Sequence, residues 1–439
     1  MLTTLTAPAF AGTWYIEDGD ITISAGESGN NVTQNENTTE NDPDTIITNR
    51  EEGASSHTVT IDAKDKDDKV EVTLKDVNID ASSRSEAAVS VTGKGDTTIE
   101  LDGDNELKSG AGHAGLEHNK TDTSGELTIQ DKDNNGSLEA AGGFKGAGIG
   151  SAGSNDAQVK ITGGNITATS DDWGAGIGGG IYGLSNVTIE GNTKVNATGG
   201  AGGAAIGGGA GAENNSDNNG NQITIKSNEN GSPTINAVGG GTDEGEKIVI
   251  GGAGIGAGCE SNADADITLE GKVTITATAG KDNVAIGANG IEQEFSGLAE
   301  GSSITRYDPE GNDITLPTDP VPAVPSSSGG GSADASVQES VFPGLVVTDK
   351  DGQRISYTSI RDNNVLSLRV GRFTASLRAS LATLRQLRAE GIDTITFQTI
   401  LCSTTLSVDE LLAMGGEDTE VVLTHHIRSS TLTVGGKAV

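Results

Sequence analysis

Aromatic and basic residues are scarce in this chain of 439 residues. Aromatic residues make up 3% of it, and 28 Lys and Arg stand against 63 Asp and Glu, which gives a formal net charge of -35. Such an acidic chain repels the phosphates of nucleic acids and of anionic lipid headgroups. No basic patch interrupts the first 340 residues. We therefore expect no nucleic-acid partner.

Cysteine, proline and long apolar runs are also rare. Cys259 and Cys402 lack a CxxC partner, which excludes a disulfide framework and a thiolate metal site. The 9 prolines exclude collagen and polyproline structure. No run of about 18 apolar residues occurs, so we expect no membrane insertion.

Glycine is abundant instead, with 65 residues, roughly twice the usual share of about 7%. A short element, in most copies Gly-Ala-Gly-Ile-Gly, recurs every 28 to 31 residues, apart from one longer step that contains inserted loops. A fixed period of this size is typical of a solenoid. The isoleucines of the repeat are Ile149, Ile177, Ile206, Ile255 and Ile286.

Two further short runs of alternating apolar residues separate successive copies of this element, for example 187–189 and 195–197. Alternation with period two predicts strands with one buried face. Three short strands in each coil predict an all-β parallel β-helix, with the repeated isoleucines stacked in its interior. Glycine then serves the corners, where positive φ angles are needed.

Residues 341–439 differ from the rest, since they hold as many acidic as basic residues and little glycine. An apolar stripe from Val370 to Leu387 predicts a helix that ends near Gly391, and Ser407 with Glu410 predicts the cap of a second helix. Five strands are expected around them, at 355–360, 365–368, 394–399, 420–424 and 431–434. This predicts a small α+β domain.

The domain organisation follows from these patterns. Ala9-Phe10-Ala11 has the small-x-small form that signal peptidase cuts, so we interpret 1–11 as a signal-peptide remnant and expect a secreted or cell-surface protein. The β-helix is expected over 12–298. A Pro/Ser/Gly-rich linker is expected over 299–340, and the α+β domain over 341–439.

One loop has the spacing of a calcium site. Asp131, Asp133 and Asn135 precede Gly136 in the D-x-D-x-N-G pattern, in which alternate oxygen ligands surround the ion. The loop departs from an EF-hand at its twelfth position, where Gly142 replaces Glu. A plain Asx-rich turn is the alternative.

Trp173 and Tyr182 flank a glycine-rich corner, with Asp171 and Asp172 beside them. Aromatic faces suit the apolar face of a pyranose ring, and the carboxylates can accept hydrogen bonds from sugar hydroxyls. These four residues are the candidate carbohydrate-binding site. Ordinary packing of turn aromatics is the alternative.

No catalytic site stands out. His113, Glu117 and His118 are one residue too long for a zinc motif, and we interpret them as an exposed turn. Lysines follow the coil period closely enough to predict a row on one face, as a solvated edge or a contact for an anionic glycan. These are Lys160, Lys194, Lys226 and Lys272.

The segment GTWYIEDGDITI over 12–23 and the repeated Gly-Ala-Gly-Ile-Gly elements resemble secreted proteins of Gram-positive gut bacteria that are named as carbohydrate-binding-domain proteins. The resemblance covers about residues 12–290. It implies a parallel β-helix, secretion, and binding of acidic polysaccharide with calcium. The C-terminal part looks like a domain appended to such surface proteins.

Together these features predict a non-catalytic, secreted or surface-displayed β-helix protein that binds a polysaccharide, such as a host or plant glycan, and that uses calcium for acidic glycans. A structural stalk or adhesin without glycan binding is the first alternative. A polysaccharide lyase is the second.

Overall fold

The computed structural model describes residues 12–320, except 52, 215–219, 242, 245–246 and 249. It also describes residues 345–438, except 349–357, 363, 371–373, 390, 400–401, 417–418 and 427–428. The interpretation of 1–11 as a signal-peptide remnant lies outside the described residues. The chain divides between Val324 and Pro325 into two compact units.

The first unit is a parallel β-helix with three strand-bearing faces, as the sequence predicts. Each strand pairs in parallel with its counterpart one coil further along, with alternate side chains buried. The first face contains Thr13–Tyr15, Thr45–Thr48, Lys69–Lys75, Asp96–Asp102, Leu127–Gln130, Asp156–Ile161, Ser185–Glu190, Asn221–Lys226 and Ala265–Glu270.

The other two faces complete each coil. The second face contains Ile21–Ala25, Val59–Ala63, Val89–Gly93, Leu116–Lys120, Ile149–Gly150, Ile177–Gly178, Ile206–Gly207, Ile255–Gly256 and Ile286–Ala288. The third face is an 8-stranded sheet of Asn78–Asp80, Asp104–Lys108, Ser137–Gly142, Gly164–Ser170, Thr193–Thr198, Thr234–Val238, Thr274–Thr278 and Ser303–Tyr307.

The repeated isoleucines form the predicted interior ladder. Each pairs in register with the next, and all five side chains are fully buried. Isoleucine fills this position because its branched side chain packs against the same side chain in the coils above and below.

The glycine after each ladder isoleucine is required by the backbone. These glycines have φ between +134° and +147°, a region essentially restricted to glycine. A Cβ at Gly207 would lie 1.9 Å from the carbonyl oxygen of Gly256 in the next coil. The repeat therefore depends on glycine for both its dihedral angle and its close stacking.

Each end of the solenoid has its own covering segment. At the N-terminal end, the strands Asn30–Gln34 and Asn37–Asp42 form a hairpin that pairs antiparallel with Ile21–Ala25. The short 3-10 helix Ile16–Asp18 precedes it.

Within the longest inserted loop, Asp243–Glu244 and Lys247–Ile248 pair antiparallel.

At the C-terminal end, a buried arginine holds the last segment in place. Arg306 has no exposed surface, and its guanidinium Nε lies 2.7 Å from Oδ2 of Asp319, which is buried too. It also donates hydrogen bonds to a carboxylate oxygen of Glu292 at 2.5 Å and to the Gln293 carbonyl at 2.7 Å. The charge is thus paired and its donors are used, which burial of a charge demands.

This end corrects the predicted domain boundary. The β-helix does not stop at residue 298, because Ser303–Tyr307 pairs in parallel with Thr274–Thr278 and adds a last strand to the third face. The linker predicted over 299–340 is therefore wrong in its first part, where Pro317 and Asp319 belong to the end of the solenoid. Residues 321–340 of that prediction lie outside the described residues.

The second unit contains two sheets and two helices, as predicted for a small α+β domain. One sheet joins Val346–Thr348, Ala375–Ser380, Glu420–His426, Ser429–Val434 and Lys437–Ala438. The other joins Thr358–Asp362, Val365–Arg369, Thr394–Gln398 and Ser403–Ser407. The helices are Leu381–Ala389 and Val408–Leu412. Ser407 caps the second helix by accepting the Glu410 N–H, as predicted.

The first predicted helix is wrong over its N-terminal half. Ala375–Ser380 is a strand, in which Ala375, Leu377 and Ala379 alternate inward, and only Leu381–Ala389 is helical. Leu377 and Leu381 fit helical spacing, but pairing of the strand with Glu420–His426 overrides that local pattern.

We expect Gly207→Ala to destabilise the solenoid. The φ of +141° alone costs about 1–3 kcal/mol for a residue with a Cβ, and the contact with Gly256 adds to it. Urea unfolding followed by circular dichroism measures the change. Gly53→Ala is the matched control, since its Cβ would meet nothing within 4 Å. Equal stability of the two variants would contradict the role given to Gly207.

Arg306→Met should also destabilise the solenoid, by about 3–5 kcal/mol, because it leaves the buried Asp319 carboxylate without its partner. Lys75→Met is the control, because it removes a half-exposed cation that pairs with Asp102. Thermal unfolding should separate the two variants clearly. A similar melting temperature for both would show that the buried pair does not hold the C-terminal end.

Candidate functional site

Trp173 and Tyr182 lie in the two loops that flank Ile177–Gly178, a strand of the second face. Ala210 of the next coil connects them, because its N–H donates to the Trp173 carbonyl at 2.9 Å and its carbonyl accepts the Tyr182 N–H at 2.8 Å. Trp173 is half-buried, whereas Tyr182 is 61% exposed. The structure therefore brings together two residues that stand on either side of the Ile177 strand.

Phe144 belongs to the preceding coil and was not predicted. The carbonyl of its neighbour Lys145 accepts the Ile181 N–H at 2.9 Å, which ties this coil to the one that carries Tyr182. The Phe144 side chain is 43% exposed, a large value for an aromatic residue. The repeat could have revealed Phe144. Gly146 and Gly174 begin successive copies of the repeated element, and Phe144 stands two residues before the first, at the position that Asp172 takes before the second. We call 143–146, 172–174, 180–183 and 209–211 the aromatic lobe.

Glycines of the next coil make room for the two larger rings. A Cβ at Gly211 would lie 2.7 Å from Cε1 of Tyr182, and a Cβ at Gly202 would lie 2.9 Å from Cε3 of Trp173. Tyr182 itself has φ +64°, which is uncommon for a residue other than glycine or asparagine. The ring of Tyr182 thus lies over Gly211 because of an unusual backbone conformation.

A buried thiol lies beneath Trp173. A Cβ at Gly202 would also come within 2.6 Å of the Cys259 sulfur. Burial, with a smaller contribution from the charge of Glu260, raises the pKa of the Cys259 thiol to about 11. This cysteine is therefore a protonated packing residue at neutral pH.

Asp171 and Asp172 precede Trp173 directly. Asp171 is exposed and Asp172 is half-buried. The backbone of Asp172 lies against Gly200 of the next coil, where an added Cβ would come within 1.8 Å of the Asp172 carbonyl oxygen. Of the four residues predicted for the carbohydrate site, Asp172, Trp173 and Tyr182 belong to the aromatic lobe, and Asp171 adjoins it in the sequence.

The predicted metal loop forms a tight turn. The Asp131 carboxylate accepts the Asn135 N–H at 3.2 Å and the Gly136 N–H at 3.0 Å, and Asn134 adopts φ +61°. Asp131 is buried, and this burial raises the pKa of its carboxyl group. The Asp131 side chain thus closes the loop by accepting the N–H groups four and five residues further along the chain.

Glu100 of the preceding coil joins this loop, which the sequence analysis missed. Carboxylate oxygens of Glu100, Asp131 and Asp133 lie within 4.8 Å of one another. Glu100 is next to Gln130 in the register of the first face, so one coil period connects it to Asp131. Asn135 turns its amide nitrogen to Asp133 Oδ2 at 3.0 Å and is not oriented as an oxygen ligand.

Two interpretations of charged residues are wrong. Glu117 and His118 are buried: the His118 Nδ1 hydrogen-bonds to the Gln158 carbonyl at 2.7 Å, and burial lowers the pKa of this imidazole. The lysines form no single row. Lys160 and Lys226 lie on the first face, where both pair with Glu190, while Lys194 lies on the third.

No protein-family model matches the chain, and no curated protein or solved structure is significantly similar to it. No helix among the described residues combines the length and the apolar character that crossing a membrane requires.

The pH dependence of folding tests the burial of Asp131. Because its pKa is raised in the folded state, its contribution to stability is fully present below the ordinary carboxyl pKa and is lost as the pH rises through the raised value. Asp131→Asn does not titrate. We therefore expect the melting temperature of the protein to fall relative to that of Asp131→Asn as the pH rises above the ordinary carboxyl pKa of about 4. Parallel pH profiles would contradict a raised pKa.

Proposed function

We propose that this protein is a non-catalytic, secreted or surface-displayed β-helix that binds polysaccharide on the aromatic lobe. One observation carries the proposal: Phe144, Trp173 and Tyr182 come from two successive coils that backbone hydrogen bonds join at this lobe, and the side chains of Phe144 and Tyr182 are 43% and 61% exposed. Exposed aromatic rings in an acidic, aromatic-poor protein call for a ligand with an apolar face. A pyranose ring has such a face, and hydroxyl groups at its edge.

The neighbouring groups agree with a sugar ligand. Asp171 and Asp172 stand directly before Trp173 in the sequence, and carboxylates accept hydrogen bonds from sugar hydroxyls. The lobe is rigid, since hydrogen bonds between coils fix the backbone of both larger aromatic residues. A rigid, pre-formed platform loses little conformational entropy on binding.

In this proposal, Glu100, Asp131 and Asp133 are the ligands of a calcium ion. Their carboxylates offer the oxygen ligands that Ca²⁺ takes. Glu100 pairs with the Lys132 ammonium at 3.4 Å, so a bound ion would take the place of that ammonium. Asn135 does not fit as a ligand because of its orientation. In this proposal, Ca²⁺ held here would supply the positive charge that an acidic glycan needs on a protein with a net charge of -35.

Binding to a glycan array tests the proposal. Tyr182→Asn removes the ring while keeping a residue that tolerates φ +64°, so the lobe should stay folded. We expect it to weaken binding about tenfold, in line with the loss of one stacked ring. Ile291→Asn is the control, because it removes a side chain that is 70% exposed on another part of the solenoid.

The array should include acidic and neutral polysaccharides, each with and without calcium. Acidic glycans that bind only with calcium, and not to Asp133→Asn, would support the metal-bridged mode. Binding to neutral glycans without calcium, weakened by Tyr182→Asn, would show that the aromatic lobe recognises the sugar and that the metal is not needed. A protein that binds no glycan would favour the stalk without glycan binding, and release of unsaturated sugars would favour the lyase.

A further inference from the structure

The first face carries a column of hydroxyl groups that sequence spacing alone did not reveal. In six successive strands of this face, the register aligns one outward-facing residue with the next. Five of the six are threonine, and the other is lysine. Each of these side chains is partly exposed. The column consists of Thr98, Thr128, Lys160, Thr188, Thr224 and Thr268.

A second column runs beside the first, two residues earlier in each strand. Gln158, Asn186, Gln222 and Asp266 are in register with one another. In four successive coils, therefore, the same face presents one amide or carboxylate and one hydroxyl or amine side by side. We call these paired columns the polar ladder.

The middle of the polar ladder has unused hydrogen-bonding capacity. Within the described part of the chain, no side-chain hydrogen bond engages Asn186, Thr188, Gln222 or Thr224. The charges nearby are paired with one another: the Glu190 carboxylate lies 3.6 Å from the Lys160 ammonium and 3.2 Å from that of Lys226, and a Glu126 carboxylate oxygen lies 4.0 Å from Lys160. These four side chains are neutral donors and acceptors of hydrogen bonds.

We propose that the polar ladder binds an extended, neutral polysaccharide chain that lies along the solenoid axis, with about one sugar over each coil. The inference rests on the proposed function and assigns it a second surface and a ligand geometry. Coils of a parallel β-helix repeat at about 4.8 Å, a distance close to the advance of an extended glycan per sugar. Each sugar then meets one amide or carboxylate and one hydroxyl or amine, at the same positions as its neighbour does.

The chemistry of the ladder favours a glycan over a protein partner. Its backbone N–H and C=O groups are already paired between coils, so it cannot add a strand from another chain. It also lacks the large apolar side chains that anchor protein interfaces. Threonine and amide side chains donate and accept equally, which suits the hydroxyl groups of a sugar.

The test uses threonine-to-valine variants, which remove hydroxyls while preserving branched side chains that suit strands. Thr188→Val combined with Thr224→Val changes the polar ladder. Thr167→Val combined with Thr276→Val is the matched control on the third face, where the two residues also point outward. We expect about tenfold weaker binding of a neutral glycan for the first pair and no change for the second.

Oligosaccharide length provides an independent measurement on the unaltered chain. Affinity measured by calorimetry should rise with each added sugar up to about four, the number of coils with both columns, and then level off. Affinity that is saturated by a single sugar would overturn the proposal.

The outcomes separate this inference from the proposed function. Glycan binding that Tyr182→Asn weakens but the ladder variant leaves unchanged keeps the function and overturns the ladder. No glycan binding by the unaltered chain overturns both. Inhibition of ice recrystallisation that the ladder variant abolishes, without glycan binding, would assign the hydroxyl column to ordered water and overturn the glycan.

Discussion

The close, in-register stacking of successive coils is the constraint on which the rest of the structure depends. Parallel strands about 4.8 Å apart leave room for identical side chains to pack on one another, but not for a Cβ wherever one coil turns above the next. Isoleucine and glycine therefore recur as a pair. Ile206 fills the interior, and Gly207 takes the positive φ that turns the chain beside the Gly256 carbonyl.

Stacking also creates a problem at each end, where a coil has no neighbour. The N-terminal hairpin covers one end with antiparallel strands. The other end uses the buried Arg306, which joins the last strand to Asp319 and to Glu292. A single charged residue can do this because its five donors hold several segments of backbone and side chain at once.

The sequence predicts repeated features better than single ones. The parallel β-helix follows from the period, and Asn221–Lys226 and Ala265–Glu270 are predicted as strands because alternation recurs in every coil. The end of the solenoid was missed because Arg306 and Asp319 occur once and lie in a proline-containing stretch. Ala375–Ser380 was missed because its burial depends on the partner strand Glu420–His426, which lies 40 residues or more further along the chain.

The candidate sites show the same division. Trp173 and Tyr182 stand out in a chain with few aromatic residues, whereas Phe144 and Glu100 gain meaning only when the coil register places them beside residues of the next coil. Since one strand pairs with the next regardless of what lies between them, the long insertion between Ile206 and Ile255 leaves the ladder intact. A β-helix can therefore vary its loops and outward side chains freely, and function in this fold resides in what the register brings together.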